Sequence, residues 1–201
     1  MKKSRLFVAV IALVVLLAAG WSVSTYNGLV GLDEDVRAQW AQVENVYQRR
    51  FDLVPNLVAA VKGAAQFERD TLTAVVEARS KVARVAAAQA PRAPTDPAAI
   101  RSFQQAQDEL SSALARLMVV VERYPELKAA QNFRDLQAQL EGTENRISVE
   151  RTRYNDRARL FNTKRKSFPS DLVAGVFADR FKEKAYFTAG PAAERAPDVK
   201  F

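Results

Sequence analysis

Cysteine and histidine are both missing from the 201 residues. Their absence excludes disulfides, thiolate nucleophiles, Cys/His zinc sites and imidazole general bases. Glycine and proline are scarce, at 7 and 8 residues, which argues against a β-rich fold with its many turns. No P-loop or Gly-x-Gly fingerprint occurs. Ser111, Ser112, Ser148, Ser167 and Ser170 fall on helical stretches or at a cap, with no nucleophile elbow or oxyanion-hole glycine beside them. A carboxylate-bridged di-metal site built on Glu-x-x-His is excluded by the missing histidine. Asp33-Glu34-Asp35 are consecutive, so on a helix they point in different directions and make a poor cation cage. Neither catalysis, nor a metal, nor a cofactor is expected.

The charge that is present is unevenly spread. The chain carries +7 overall, divided as +3 over residues 1–30, −2 over 31–150 and +6 over 151–201. A basic last third suits acidic lipid headgroups or an acidic partner. Its charges are mixed, however, and no aromatic or glycine-rich RNA-binding signature accompanies them, so nucleic acid is not an expected partner.

The N-terminus is organised differently from the rest. Lys2, Lys3 and Arg5 precede a stretch from Leu6 that carries no charge until Asp33. Its dense apolar part, Leu6–Val23, approaches the roughly 20 residues that cross a bilayer as a helix. Trp21 and Tyr26 stand where interfacial aromatics are expected, and the basic leader favours a cytoplasmic N-terminus. The competing reading is a cleaved signal peptide, with Ser22-Val23-Ser24 as a small-x-small site. The length of the apolar run and the unbroken helical register after it favour a retained anchor. The expected division is therefore a cytoplasmic segment 1–5, a transmembrane helix 6–24, a helical bundle 25–185 and an extended tail 186–201. Single-pass insertion in a bacterial inner membrane would leave the body in the periplasm or outside, with the lipid bilayer as its first partner.

Beyond the span the apolar spacing is helical. Leu29, Leu32, Val36, Trp40, Val43 and Tyr47 step by three or four, with polar residues between them. Pro55 is expected to end this first helix, with Asp52 or Asn56 capping a second that runs to about Gln89. Leu57, Val61, Ala64, Ala65, Leu72, Val75, Val82 and Val85 would form its inner side. Pro91, Pro94 and Pro97 make residues 86–99 an exposed Ala/Pro-rich connection. A third helix, capped by Asp96, carries Phe103, Ala106, Leu110, Ala113, Leu117, Val121 and Tyr124. After Pro125 a fourth stretch is expected from Glu126 to about Ser167, then a short helix over Leu172–Phe177. The fold class is thus all-α: an N-terminal transmembrane helix followed by an antiparallel bundle of three or four long, coiled-coil-like helices. Trp40, Tyr47, Phe133 and Tyr154 are the expected core anchors. Phe187 and Phe201 are candidates to lay the tail on the bundle.

One polar cluster interrupts these stripes. Glu141, Glu144, Asn145, Arg146, Glu150 and Arg151 fall in the fourth stretch, and Glu144, Ile147 and Arg151 share a helix face. Glu144, Asn145, Arg146 and Arg151 form a candidate interaction or ion-binding patch. Their plainer role is to pair with Glu44, Asn45, Arg49 or Arg50 on a neighbouring helix and fix register. Lys164-Arg165-Lys166 complements a helix C-terminus.

Several ordered segments carry a family resemblance. They are Tyr26-Asn27-Gly28-Leu29-Val30 and the run Trp40–Val58, then Val61–Glu68, Tyr124–Ala129, Leu140–Ile147 and Arg151-Thr152-Arg153-Tyr154-Asn155, with Phe168-Pro169, Tyr186-Phe187 and Ala196-Pro197 closing the series. Together they resemble the LemA family over most of the chain. The resemblance implies a bacterial, membrane-associated, non-catalytic helical protein. It also implies a shared complex with a membrane or secreted protein of the TPM-domain type, near whose genes relatives are often encoded. The connection Ala86–Ala99 does not share the pattern. Two functions lead as expectations: a membrane-tethered scaffold or interaction module, or an accessory or sensor subunit that binds a ligand or peptide between helices; a hydrolase using an unrecognised constellation is a weaker third.

Overall fold

The computed structural model describes residues 2–62, 68–89 and 92–188. It is all-helical, with no strand among the described residues. Six helices follow one another: α1 (Lys2–Lys62), α2 (Arg69–Gln89), α3 (Pro97–Val121), α4 (Pro125–Ala129), α5 (Gln131–Lys166) and α6 (Ser170–Val176).

The first helix is the organising element. Its 61 residues extend about 90 Å at 1.5 Å per residue. The apolar stretch from Leu6 to Val23 is exposed along its length, and burial begins at Thr25 and Leu29. From there the helix packs antiparallel to α5, as Asp35 facing Arg157, Gln39 bonding Glu150 and Arg49 bonding Gln139 show. Helices α2 and α3 form an antiparallel hairpin, with Lys81 on Glu109 and Glu68 on Arg123. These four long helices make the bundle.

Pro55 does not end the first helix; α1 runs through it to Lys62. Proline at this position removes the amide that would bond the carbonyl of Phe51. That carbonyl instead accepts from Arg79 Nε of α2 at 3.2 Å, and the same guanidinium lies 3.7 Å over the Phe51 ring. A side chain from another helix thus satisfies the orphaned acceptor. Leu53, Val54, Leu57, Val58 and Val61, all buried, keep the segment in the core. The caps expected from Asp52 and Asn56 are consequently not used. Ala64 and Ala65 lie outside the described residues.

Asp96 caps α3, its carboxylate accepting from the amides of Ala98 and Ala99 at 2.8 and 3.3 Å. The Ala/Pro-rich connection is only partly exposed: Ala93 is buried, and the Pro94 carbonyl accepts from the Ala185 amide at 3.1 Å. The fourth stretch is not continuous either. It breaks at Ala130, whose ψ of 125° is extended. Leu127 and Phe133 are both buried, yet six residues apart they would sit about 120° apart round an unbroken helix. The break lets both reach the core.

The core has two halves. One joins Leu53–Val61 of α1 to Leu72, Val75, Leu110, Leu117, Phe133 and Leu140. The other joins Leu29, Val36, Trp40, Val43 and Tyr47 to Phe103, Ile147, Tyr154, Phe161, Phe181 and Phe187. Trp40, Tyr47, Phe133 and Tyr154 are all buried.

Candidate functional site

Between the two halves of the core lies a layer of polar side chains. On α1 the sequence Tyr47, Arg50, Val54 keeps three- and four-residue steps, so Arg50 occupies an inward position and is only 2% exposed. Its guanidinium donates to Ser111 Oγ at 2.6 Å, to Glu144 at 2.8 Å and to the Gln107 carbonyl at 3.2 Å, and it also bonds the Gln107 side chain. Helices α1, α3 and α5 therefore meet through one cation. A buried arginine is tolerated when most of its donors find acceptors; the Nε of Arg50 has none among the described residues. Here one partner is anionic and three are neutral.

Glu144 is half-exposed where it closes this layer, so the burial belongs to Arg50 rather than to the carboxylate. Of the other cluster residues, Glu150 accepts from Gln39 at 2.5 Å and Glu141 from Gln137 at 2.9 Å. Asn145 and Arg146 are exposed and stand outside the layer. Arg49 pairs with Gln139 rather than with the cluster.

Arg151 belongs to a second construction, the docking of the C-terminal segment. After α6 the chain turns back along α5 in extended form. Asn162 Nδ2 donates to the Lys184 carbonyl and its Oδ1 accepts from the Lys184 amide, both at 2.8 Å. Asn155 treats Phe187 the same way, with both bonds at 2.9 Å. The two asparagines are seven residues apart on a helix, about 10 Å of rise. Lys184 and Phe187 are three apart on extended chain, again about 10 Å. Helix and strap share one repeat, and each asparagine pairs with the strap as a neighbouring strand would.

Further bonds complete the strap. Tyr154 donates its hydroxyl to the Ala185 carbonyl at 3.0 Å, and Arg151 reaches the Thr188 carbonyl at 2.8 Å while its guanidinium lies 5.0 Å from the Phe187 ring centre. Gln104 of α3 bonds both the carbonyl and the amide of Thr188. Lys184 closes an ion pair with Asp33 of α1, both side chains almost fully buried, and Arg37 bonds the other Asp33 oxygen at 3.0 Å. Asp33 is therefore an internal anchor for the strap rather than part of an exposed acidic flank. Phe187 is buried by this docking, whereas Phe201 lies outside the described residues.

Burial raises the Tyr154 and Tyr47 hydroxyls above the ordinary phenol range, so both stay protonated, and Tyr154 donates to the Ala185 carbonyl. Burial also raises the Glu44 carboxyl, which the Trp40 indole N–H opposes without closing a full hydrogen bond. A folded-state pKa above the unfolded one means that ionised Glu44 costs stability. That cost is absent in acid and complete once pH has passed the folded value. Glu44→Gln is therefore expected to raise the Tm modestly at neutral pH and to leave it unchanged in acid. Thermal melts followed by circular dichroism at the two pH values check this, and an unaltered or lower Tm at neutral pH contradicts it. Among the described residues, no three metal-ligating side chains converge.

An open groove of about 450 Å³ separates the layer from the strap and is lined by Glu144, Ile147, Ser148, Arg151, Asn155 and Phe187, among others. Of the sequence-derived patch, Glu144, Asn145 and Arg151 thus line it, with Glu144 and Arg151 bonding to different parts of the molecule. Gln107, Asn162, Lys184 and Thr188 were not singled out from the sequence, and Ser111 was weighed there only as a nucleophile. Arg50 was named from the sequence as one of four partners for the cluster, and it is the one that Glu144 meets. The heptad spacing of Asn155 and Asn162 was a signal also.

The chain matches the family profile described as LemA family over residues 39–201. It is similar to magnetosome protein MamQ 2 of Paramagnetospirillum magneticum, at 28% identity covering 84% of this chain and 66% of the relative. Magnetosome protein MamQ of Magnetospirillum gryphiswaldense is 27% identical with the same coverage. The chain thus spans just under two thirds of the length of these curated relatives. With the profile spanning the strap, the polar layer and most of the bundle, the chain belongs to the LemA family.

Proposed function

We propose that this protein is a non-catalytic scaffold, anchored in a membrane by α1, that holds a rigid helical body outside the cytoplasm to engage another membrane or exported protein. The observation that carries this reading is the continuity of α1. One helix leads without a break from an exposed apolar stretch, long and apolar enough to cross a membrane, into the buried centre of the bundle. Span and body then move as one piece, which suits presentation at a fixed height and angle. Two relatives are named for the magnetosome rather than for a reaction, which fits a structural part. A TPM-domain protein is the partner class the family resemblance favours.

The test is site-specific photocrosslinking in intact membranes from exposed positions on the α2–α3 hairpin. A discrete adduct to a membrane or exported protein is expected. Absence of any adduct from every exposed position, together with turnover of an ester or peptide substrate by the purified protein, contradicts the scaffold reading.

A second reading is favoured by the groove between Glu144 and Arg151. With the Glu144 carboxylate and the Arg151 guanidinium both in its lining, it suits a zwitterionic peptide terminus or similar small ligand, which would make the protein a sensor subunit. Binding of short peptides that is lost in Arg151→Gln, measured by calorimetry, would support it over the scaffold.

A further inference from the structure

We infer that α6 and the corner before it form a second membrane contact, seated in the same bilayer that α1 crosses. The proposal rests on the anchor reading of α1 and adds to it a part of the body.

Height fixes the argument. The apolar stretch Leu6–Val23 is about 27 Å long as a helix, close to the roughly 30 Å of a bilayer's hydrocarbon core. The bilayer surface therefore falls near Val23 to Tyr26. Helix α6 packs on α1 at this level. Phe177 meets the Tyr26 ring at 4.9 Å and Phe181 meets it at 5.4 Å. Ala18, Trp21, Val23, Leu172, Val176 and Phe177 line a groove of about 640 Å³ whose walls are almost wholly apolar. The helix thus reaches down beside residues that lie inside the span.

The outward face of this corner is apolar where a water-facing surface would be polar. Phe168, Leu172 and Val176 follow one another at four-residue intervals and are 82%, 60% and 79% exposed. On the opposite side of α6, Ser170, Val173 and Ala174 are buried. The inner face is already used by the bundle, so the outer face is a surplus that packing among the described residues does not explain. Side chains of this kind at bilayer height are covered by lipid, each apolar group transferred from water contributing to docking.

Charge placement agrees. Asp35 facing Arg157 and Gln39 bonding Glu150 set the antiparallel pairing of α1 and α5. Continued to the end of α5, that pairing puts its last turn beside about residue 25 of α1. Lys164 and Lys166 are exposed there, and Arg180 stands 5.7 Å from the Tyr26 ring centre. Lys166 also pairs with Glu183, and Asp171 and Asp179 are the other acidic groups nearby. A basic rim above an apolar wedge matches a surface of anionic headgroups over acyl chains.

The missing cysteine makes the test direct, because each introduced thiol is the only one in the chain. Spin labels placed on Leu172→Cys, Val176→Cys, Val15→Cys and Ser112→Cys would be compared in the full chain, reconstituted in vesicles of phosphatidylcholine and phosphatidylglycerol. Collision with oxygen reports lipid, and collision with a water-soluble nickel chelate reports water. Labels at 172 and 176 are expected to favour oxygen as the label at 15 does, severalfold over the label at 112. If 172 and 176 follow 112 while 15 reports lipid, α1 is an anchor and the α6 contact is wrong. Shielding of 172 and 176 from both reagents would mean that protein covers the face, which also overturns the proposal. If 15 itself reports water, the anchor reading fails first.

Discussion

Trp40→Ala is expected to lower the stability of the folded protein by about 3–5 kcal/mol, the scale for truncating a large buried aromatic. Trp40 is the meeting point of four elements. Its ring lies 5.7 Å from Phe103 of α3, 5.4 Å from Tyr154 of α5 and 5.8 Å from Phe187 of the strap, stacked nearly parallel on the last. Removing it opens a cavity that none of the three can fill without leaving its own helix or hydrogen bonds. Tyr154 in particular is held by its bond to the Ala185 carbonyl. The loss should therefore appear in the strap as well as in global melting: backbone amides of Lys184 and Phe187 should exchange faster in the variant. Denaturant unfolding gives the stability, and a change below about 1 kcal/mol would contradict the placement of Trp40 in the core.

The second large effect concerns the buried ion pair of Asp33 and Lys184. Either residue replaced alone by leucine should cost about 3–5 kcal/mol, since a buried charge loses its partner. Replacing both by leucine should recover most of that loss, because two charges are then spared desolvation. Arg37 softens the effect of removing Lys184, yet it is largely exposed and its pairing contributes little. The pair joins the strap to α1 just above the span, so Lys184→Leu should also release residues 184–188 to proteolysis. Additive losses in the double variant, without coupling, would show that the two charges do not meet in solution.

How far the sequence foretold this structure depends on the range of the interaction. The stripe from Leu29 to Tyr47 and the Asp96 cap are set by residues within a few positions of one another, and spacing reveals such features. Pro55 is the instructive failure. Its local effect is to break a helix, and only the arrival of Arg79 from another helix on the Phe51 carbonyl lets α1 continue. The break at Ala130 has the same character, being required by the burial of both Leu127 and Phe133. At the polar site, the cluster around Glu144 and Arg151 was visible as charge on a helix stripe. Its division into a register layer and a strap was not, because Gln107, Ser111 and Lys184 are ordinary polar residues until the fold gives them partners. Asn155 and Asn162 stand out in the sequence by their heptad spacing, but their role follows only once extended chain is known to lie beside them.

Topology is the claim on which the functional account most depends, and thiol labelling measures it most directly. Ser4→Cys and Ser112→Cys place single thiols at opposite ends of the proposed arrangement, in a chain that has no others. Spheroplasts producing each variant would be treated with a membrane-impermeant maleimide, before and after lysis. An anchored protein with its basic leader inside and its body exported predicts labelling at 112 in intact spheroplasts, and at 4 only after lysis. Labelling at 4 before lysis with none at 112, or recovery of both variants in the soluble fraction, would contradict it.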